Sequence, residues 1–343
     1  MHSSQQFNRL SPDALHQAWQ DLRASQPQLR IREAAAKLGV SEAELLATQC
    51  GKSVFKLLPE WPTILGSLTE SDLLMALTRN DAVVHEKISA YSETTGCDDQ
   101  YLISGTHLQL CLLLSHWQVG FAVTEDSPIG PRHSLQFFNH AGVAVHKCYL
   151  SGNDRLPDFQ RMVADFQATD QSQDLVLKSA PETAWRIEQL PPVWQRILIC
   201  NQMVAQVKPI LNQASINLAE FRELMHQLAQ LQLPIEITVA SPAALQLHQG
   251  PIQNLRVTGP WFNVLDEGFN LHLNETAVAN IQIVCVQFQQ HLLHGLLLRD
   301  RQAQIILSLF GEFTEATGEC TIWRDFITSL PMPLSQSSAL ASD

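Results

Sequence analysis

The sequence predicts an α+β protein made of two similar halves, each a large antiparallel β-sheet with helices packed against it. The chain has 343 residues, of which 45% are hydrophobic, and this is enough to fill two cores. His85 and His272 each follow a large apolar residue by ten positions, which indicates an internal repeat. Residues 135–149 and 296–310 both read as strand, tight polar turn and strand, and they support the same duplication.

The first 50 residues are predicted to form the N-terminal helical segment of the first half. Ser11, followed by proline and aspartate, is a good helix start. Further on, an alanine-rich helical stretch stops at Gly39, and Ser41 then caps the next helix. These signals predict several short helices in succession before the first strand.

The outline of residues 29–50 resembles a helix-turn-helix. Its second helix carries Glu42 and Glu44, where a recognition helix needs arginine, lysine or asparagine for base edges and phosphates. The sequence therefore favours a small helical cap on the sheet, and DNA reading is kept as the less favoured hypothesis.

Beyond residue 50 the pattern changes to short strands, and the change is repeated after a polar stretch. Alternating residues fill much of the region up to a hairpin at 134–149, and a helix is expected over 157–167. We predict this organisation: a first α+β repeat over 51–168, a linker over 169–180, a second α+β repeat over 181–330 and a disordered tail over 331–343.

Charge and cysteine spacing exclude several classes of partner. The formal net charge is −12, so the surface field repels nucleic-acid phosphate and anionic lipid. The first residues are polar, and no apolar run approaches the length of a bilayer span. We expect a cytoplasmic protein that binds no nucleic acid and does not insert into a membrane. The seven cysteines form no C-x-x-C pair, which predicts buried reduced thiols and no structural zinc site.

Several motifs carry a resemblance to a known family, over most of residues 10–328. They are Arg79-Asn80, Val84-His85-Glu86-Lys87, the run from Arg132 to Gly142, Gly259-Pro260-Trp261-Phe262-Asn263-Val264 and Phe269-Asn270-Leu271-His272-Leu273. Together they resemble the bacterial hemin-degrading or haem-utilisation factors. The resemblance implies a cytoplasmic protein that binds haem after uptake, for transfer, storage or oxidative opening of the porphyrin to release iron. It also implies a haem-transport or electron-donor protein as a further partner.

The chain departs from the family's pattern where the family binds the iron. There the haem sits against the second sheet, ligated by a histidine on a helix just ahead of it. The corresponding region, residues 194–217, contains no histidine, and Cys111, Cys285, Val286 and Phe313 stand where the family carries basic residues. The alternative hypothesis is therefore a divergent member that lost the haem-iron site and acts as a binding or regulatory module.

His85 is the preferred candidate for the iron ligand. It lies in a motif shared with the family, and haem iron is usually held by histidine. Arg79 and Lys87 lie close to it in sequence, and their charges suit the two haem propionates. A polar strand histidine that pairs across the sheet is the structural alternative.

His226 is the second candidate ligand, because it lies on a predicted helix ahead of the second strand set. Arg222 is one turn away on the same helix and could meet a propionate, although a surface histidine on an amphipathic helix is the simpler interpretation. Arg132 begins a strip of basic residues on the first hairpin, and strand alternation divides that strip between two faces. His272, between two leucines, is interpreted as structural.

No residue is predicted to be catalytic. The sequence contains no nucleophile elbow, P-loop, dinucleotide fingerprint or H-E-x-x-H motif. Any oxidative chemistry would therefore come from bound haem, with the chain supplying binding and orientation.

Overall fold

The computed structural model describes residues 10–70, 74–97, 99–105, 108–128, 130–152, 155–180, 185–201 and 215–330. The α-helices of this part are α1 Pro12–Ser25, α2 Ile31–Leu38, α3 Glu42–Ala47, α4 Trp61–Ser67, α5 Leu156–Phe166, α6 Pro192–Cys200, α7 Leu218–Leu231 and α8 Thr321–Ser329. The predicted tail over 331–343 lies outside the described residues.

The strands begin with those encoded in the first half: β1 Val54–Lys56, β2 Leu74–Arg79, β3 Val83–Ser89, β4 Glu93–Cys97, β5 Gln100–Ser104, β6 Gln109–Leu113, β7 Trp117–Glu125, β8 Arg132–Asn139 and β9 Ala144–Leu150. Those of the second half are β10 Ser215–Ile216, β11 Ile235–Ser241, β12 Ala244–Gly250, β13 Leu255–Thr258, β14 Trp261–Asp266, β15 Phe269–Asn274, β16 Asn280–Phe288, β17 His291–Arg299, β18 Ile305–Gly311, β19 Phe313–Thr314 and β20 Gly318–Glu319.

The N-terminal helices form where their capping residues predict. The Ser11 side chain accepts a hydrogen bond from the α1 backbone, and α2 ends at Gly39, whose φ of 69° favours glycine. Ser41 and Glu44 form a capping box on α3. The apolar residues of α3 are buried against the first sheet, with Ala43 and Ala47 both fully covered. Helices α1 to α3 pack on one another, and α3 lies against the first sheet as a helical cap.

Two nine-stranded antiparallel sheets confirm the predicted fold class. The first sheet has the order β1-β7-β8-β9-β2-β3-β15-β14-β13, and the second has the order β10-β16-β17-β18-β11-β12-β6-β5-β4. Both orders follow one scheme, which is the internal repeat expressed as topology. The match of the β8–β9 hairpin with the β17–β18 hairpin is the one predicted from their shared outline.

The two halves exchange three strands each. Strand β3 pairs with β15, where Lys87 lies opposite Phe269, and β12 pairs with β6, where Leu245 lies opposite Cys111. Each sheet is therefore completed by strands from the other half of the chain. The boundaries predicted at residues 168 and 181 remain predictions about the sequence repeat, since the sheets themselves draw on both sides of that boundary.

The order of the strands shows that His85 and His272 are not equivalent positions of the repeat. Because the sheets share one strand order, β3 corresponds to β12, whereas β15 corresponds to β6. His272 lies on β15 and so is not the counterpart of His85 on β3. The counterpart is Gln246, and the two are 161 positions apart and in direct contact. The spacing from a preceding apolar residue was a coincidence between two strands with different places in the sheet.

The sheets pack face to face and share their core. One large cluster joins residues of the first sheet, such as Leu271, to residues of the second, such as Ile237, and Phe221 of α7 packs into it. Backbone carbonyls at the junction are satisfied from the opposite sheet. Asn80 Nδ2 donates to Ile306 O at 2.7 Å, and Ser241 Oγ donates to Val145 O at 2.8 Å. These bonds fix the position of one sheet on the other.

Described cysteines are mostly buried thiols, as predicted. Cys50, Cys111, Cys148 and Cys200 are buried, and burial raises the pKa of each thiol, to about 11 for Cys50 and about 12 for Cys148. None of the described helices is long and apolar enough to cross a membrane.

Candidate functional site

The hairpin of β2 and β3 separates the residues that the sequence grouped together. His85 lies opposite Thr78 and Lys87 opposite Ala76, so these side chains share the face that packs on the second sheet. Arg79 lies opposite Val84 and points to the other face. The predicted iron ligand and one of its two predicted propionate partners are therefore on opposite sides of the first sheet.

His85 is fully enclosed between the sheets. Its Nδ1 accepts a hydrogen bond from Gln246 Nε2 at 2.8 Å, and the same amide group donates to Ala76 O. The ring lies 5.0 Å from the Phe269 ring. Its Nε2 is buried and has no hydrogen-bond partner among the described residues. Burial, with smaller contributions from His248 and Lys87, holds the pKa of His85 well below its usual value, so the ring is neutral.

Lys87 and His248 form the neighbouring contact of this buried layer. Lys87 Nζ lies 2.7 Å from His248 Nδ1, and His248 Nε2 lies 3.2 Å from Gly250 O. The His248 ring stacks on Phe269 with centroids 3.8 Å apart. Burial lowers the pKa of Lys87 to about 8. Lys87 thus has a partner inside the protein and does not reach the surface as a free cation.

Arg79 is engaged on the outer face of the first sheet. It donates a hydrogen bond to Glu42 of α3, and Lys147 Nζ donates to the other oxygen of the same carboxylate at 2.7 Å. Burial alone would raise the pKa of Glu42, but Lys147 and Arg79 together hold it below its usual value. This ion cluster fixes α3 on the sheet. It also neutralises the charge of Arg79, which the sequence analysis assigned to a haem propionate.

The remaining predicted residues lie at two further places. Arg132 is exposed, and its guanidinium carbon lies 4.4 Å from the centre of the Tyr149 ring. Arg222 of α7 makes a two-pronged ion pair with Glu275, including a 2.7 Å hydrogen bond from Nε. His226 is exposed one turn along the same helix. His272, interpreted as structural, bonds Asn263 at 2.7 Å through Nδ1.

The described residues fit haem only in part. His85 offers an unpartnered ring nitrogen without space for a porphyrin, and His226 offers an accessible imidazole on an open helix surface. The cations Arg79, Lys87 and Arg222 already have protein partners. Across the part of the chain that the structure covers, no three histidine, cysteine, aspartate or glutamate side chains form a group that could hold a metal ion.

An ion pair beside α6 was not singled out from the sequence. Arg196 donates to both oxygens of Glu236, at 2.5 and 2.9 Å, and both side chains are at most 3% exposed. The guanidinium carbon lies 4.8 Å from the centre of the Phe313 ring, and Arg196 Nε is buried without a partner among the described residues. A lone arginine in an apolar helix was the available signal, since such a charge needs a buried partner.

The positions where the chain departs from the family pattern are packed with apolar neighbours. Val286 is fully buried in a cluster with Cys200 and Phe310, and Phe313 packs against that cluster. Cys111 is fully buried beside Trp194 of α6 in a separate cluster. Most of the region predicted to replace the ligand segment, residues 202–214, lies outside the described residues.

Comparison with known proteins identifies the family. The model of the haemin-degrading HemS/ChuX domain matches twice, over residues 39–166 and 201–330. The hemin transport protein HemS of Yersinia enterocolitica is 27% identical over 335 residues, which cover 92% of this chain and 97% of that protein.

Solved structures agree with this assignment. Holo-PhuS, a haem-binding protein from Pseudomonas aeruginosa, superimposes with a TM-score of 0.82 at 31% identity, covering 94% of this chain and all of that one. The haem-degrading enzyme ChuS of Escherichia coli O157:H7 shares the fold, with a TM-score of 0.81 at 22% identity. The duplicated domain, the two interlocked sheets and the match over nearly the whole length lead to one conclusion: the chain belongs to the haemin-degrading HemS/ChuX family.

Proposed function

We propose that this protein binds haem in the cytoplasm and passes it on or stores it, with oxidative opening of the porphyrin as a further role. The observation that carries the proposal is the match over nearly the full length to a haem-binding protein solved in its holo form. When haem is bound, its iron and porphyrin supply any oxidative chemistry, and the chain's residues bind and orient it.

The proposed binding surface is the outer face of the second sheet beside α6. The half-buried Phe313 packs there against a buried cluster that contains Phe310 and Val286, and its exposed part offers a porphyrin ring an apolar contact. Arg196 lies against Phe313 and has one N–H left unpartnered within the described residues, but it is enclosed and paired with Glu236, so a propionate oxygen could reach it only if that pair opened.

His226 and His85 remain the two proposed iron ligands. His226 is accessible on α7, with Arg222 one turn away. His85 has an unpartnered nitrogen, but an iron atom could reach it only if the two sheets separated, which would break the contact with Gln246. Accessibility therefore favours His226, whereas the sequence analysis preferred His85. Helix α7 packs on the face of the second sheet opposite to the cluster of Phe310 and Val286, so a haem ligated by His226 would lie on a different face from that cluster.

The alternative proposal is a family member that has lost the iron site and binds another ligand or a protein partner. Its support is the packing of Cys111 and Val286 into apolar clusters and the neutralisation of Arg196 by Glu236. A haem-transport or electron-donor protein is the proposed partner under the first hypothesis.

Titration of hemin into the purified protein separates the two. Under the first proposal the Soret band sharpens, shifts to the red and saturates at a fixed stoichiometry. His133→Ala serves as a matched surface control, because it removes a histidine of the first hairpin without touching the proposed surface. A spectrum identical to that of free hemin at all ratios would contradict haem binding and favour the alternative.

A further inference from the structure

Tyr91 is at the centre of a buried hydrogen-bonded chain in the first half. Its hydroxyl oxygen lies 2.8 Å from His146 Nε2 and 3.1 Å from Cys148 Sγ. On the far side of the imidazole, His146 Nδ1 lies 3.2 Å from Thr78 Oγ1. All four residues are at most 2% exposed, so water does not compete for these contacts.

The protonation states of Tyr91 and His146 follow from their burial. Desolvation lowers the pKa of His146 to about 3 and raises the pKa of Tyr91 well above its usual value. A neutral phenol therefore faces a neutral imidazole. Each of the three contacts has one donor and one acceptor when Tyr91 donates its O–H to His146 Nε2, His146 donates Nδ1–H to Thr78, and the Cys148 thiol donates to the Tyr91 oxygen.

A row of aromatic rings connects His146 to the protein surface. The indole of Trp117 stacks with the His146 ring at a centroid distance of 6.4 Å. Trp61, the first residue of α4, is 6.2 Å from Trp117. Phe137 packs against both rings, 4.4 Å from Trp117 and 5.8 Å from Trp61. Trp61 keeps 6% of its surface exposed, so the path ends close to solvent.

The surroundings of Trp117 favour transfer of a positive hole rather than its storage there. An oxidised indole normally becomes a stable neutral radical by losing its N–H proton. Trp117 Nε1 is buried and has no hydrogen-bond partner among the described residues. Its radical cation therefore has no nearby acceptor for that proton and remains a strong oxidant.

We propose that Tyr91 and His146 form a proton-coupled redox site that takes up oxidising equivalents entering through Trp61 and Trp117. The oxidant is an outer-sphere one-electron acceptor, such as a ruthenium(III) polypyridyl complex, that reaches the surface near Trp61. It is reduced by one electron from Trp61, and the Trp61 radical cation then takes one electron from Trp117. In the final step, the Trp117 radical cation takes one electron from Tyr91 as the Tyr91 O–H bond breaks, and the proton moves to His146 Nε2. The products are neutral Trp117, a neutral Tyr91 phenoxyl radical and a His146 imidazolium, so one electron and one proton are accounted for.

This site goes beyond the proposed haem function and does not depend on it. None of its residues is among those proposed to hold haem. Its oxidant can be supplied from outside, which allows the redox site to fail or succeed independently of haem binding.

The test uses the full chain without haem and a photo-oxidised ruthenium tris-bipyridyl complex as the one-electron oxidant, with a cobalt(III) ammine as the sacrificial electron acceptor. The sample is frozen after illumination and examined by EPR. The chain has only three tyrosines, so the assignment needs few variants. We expect a tyrosyl signal that Tyr91→Phe removes and that the matched variants Tyr101→Phe and Tyr149→Phe retain.

Two further readouts do not depend on the folding of Tyr91→Phe. In the wild-type protein, high-field EPR after exchange into D2O should show a deuteron shared between the radical and an imidazole. Tyr101 donates instead to the carbonyl of Pro62 and would lack that coupling. Trp117→Phe should lower the tyrosyl yield, whereas Trp19→Phe, on the distant helix α1, should leave it unchanged.

The proposal is overturned by any of three results. These are the absence of a tyrosyl signal in the wild-type protein, a signal that persists in folded Tyr91→Phe, or a wild-type radical without imidazole coupling. A tyrosyl yield that is the same in folded Trp117→Phe overturns the proposed path.

Discussion

Lys87 Nζ lies 2.7 Å from His248 Nδ1 in the layer where the two sheets meet. The residues are 161 positions apart, the same separation as between His85 and Gln246, which form the adjacent contact. Equivalent strands of the two repeats thus meet at the centre of the molecule, and each pair joins one half to the other.

Lys87 makes the stability of the protein depend on pH in the alkaline range. Its pKa is lowered from 10.5 to about 8 by burial. Between these values the unfolded chain binds a proton that the folded chain does not, so the contribution of Lys87 to stability is gained as pH rises from 8 to 10.5 and lost as pH falls through 8. The expected gain is roughly 3 kcal/mol.

Urea unfolding at several pH values between 7 and 10.5 measures this effect. The buried cysteine thiols, whose pKa values are raised, lower the stability of all variants above about pH 9, so the readout is the difference between variants. Between pH 8 and 10.5 the free energy of unfolding of the wild-type protein should rise relative to that of Lys87→Met, and exposed Lys52→Met should follow the wild-type protein. Parallel pH profiles for Lys87→Met and the wild-type protein would contradict the role of Lys87.

Glu42 is predicted to be essential for attaching the N-terminal helices. In Glu42→Gln the buried Lys147 and the half-buried Arg79 lose their shared partner, and we expect a loss of about 3 kcal/mol in the free energy of unfolding. Asp170→Asn, which removes an exposed partner of Lys56, should cost less than about 1 kcal/mol. Equal losses of stability in the two variants would contradict the prediction that the buried ion cluster contributes more than the exposed ion pair.

The pair of Arg196 and Glu236 is suited to a double-mutant cycle. Removing either partner leaves a buried charge, so Arg196→Met or Glu236→Leu alone should each cost about 4 kcal/mol. The double variant should cost less than either single one, because no unpaired charge remains. Denaturant unfolding of the four proteins gives the coupling energy, and strictly additive losses would show that the pair is not coupled.

The strand exchange predicts that neither half folds alone. A fragment ending at residue 180 lacks β15 and leaves the edge of β3 unpaired, and a fragment starting at 181 lacks β6 beside β12. We expect each fragment alone to aggregate or remain unfolded, and co-expression to restore a soluble complex. A cooperative thermal transition in either isolated fragment would contradict this prediction.

Local signals predicted the elements well, because caps and alternation act over a few residues. Ser41 and Gly39 mark helix boundaries, and the spacing of His85 and Lys87 places both on one strand face. What faces them could not be predicted, since Gln246 and His248 come from a strand 161 positions away. The exchange of β4–β6 for β13–β15 depends on which sheet edge is open, which is a property of the folded core and not of a local pattern.

The two candidate iron ligands should respond differently to substitution. His226 is exposed on α7, so His226→Ala should change the Soret and visible bands of the haem complex and leave thermal stability near that of the wild-type protein. His85 is enclosed and bonded to Gln246, so His85→Ala should lower stability by about 2 kcal/mol, since it leaves one N–H of a buried amide without an acceptor. Absorption spectra of the hemin complexes and urea unfolding of the free proteins give both quantities. A changed spectrum in His85→Ala, with His226→Ala unchanged, would instead support the sequence-based preference and imply that the sheets separate to admit haem. Unchanged spectra in both single variants and in the double variant would exclude both histidines as iron ligands.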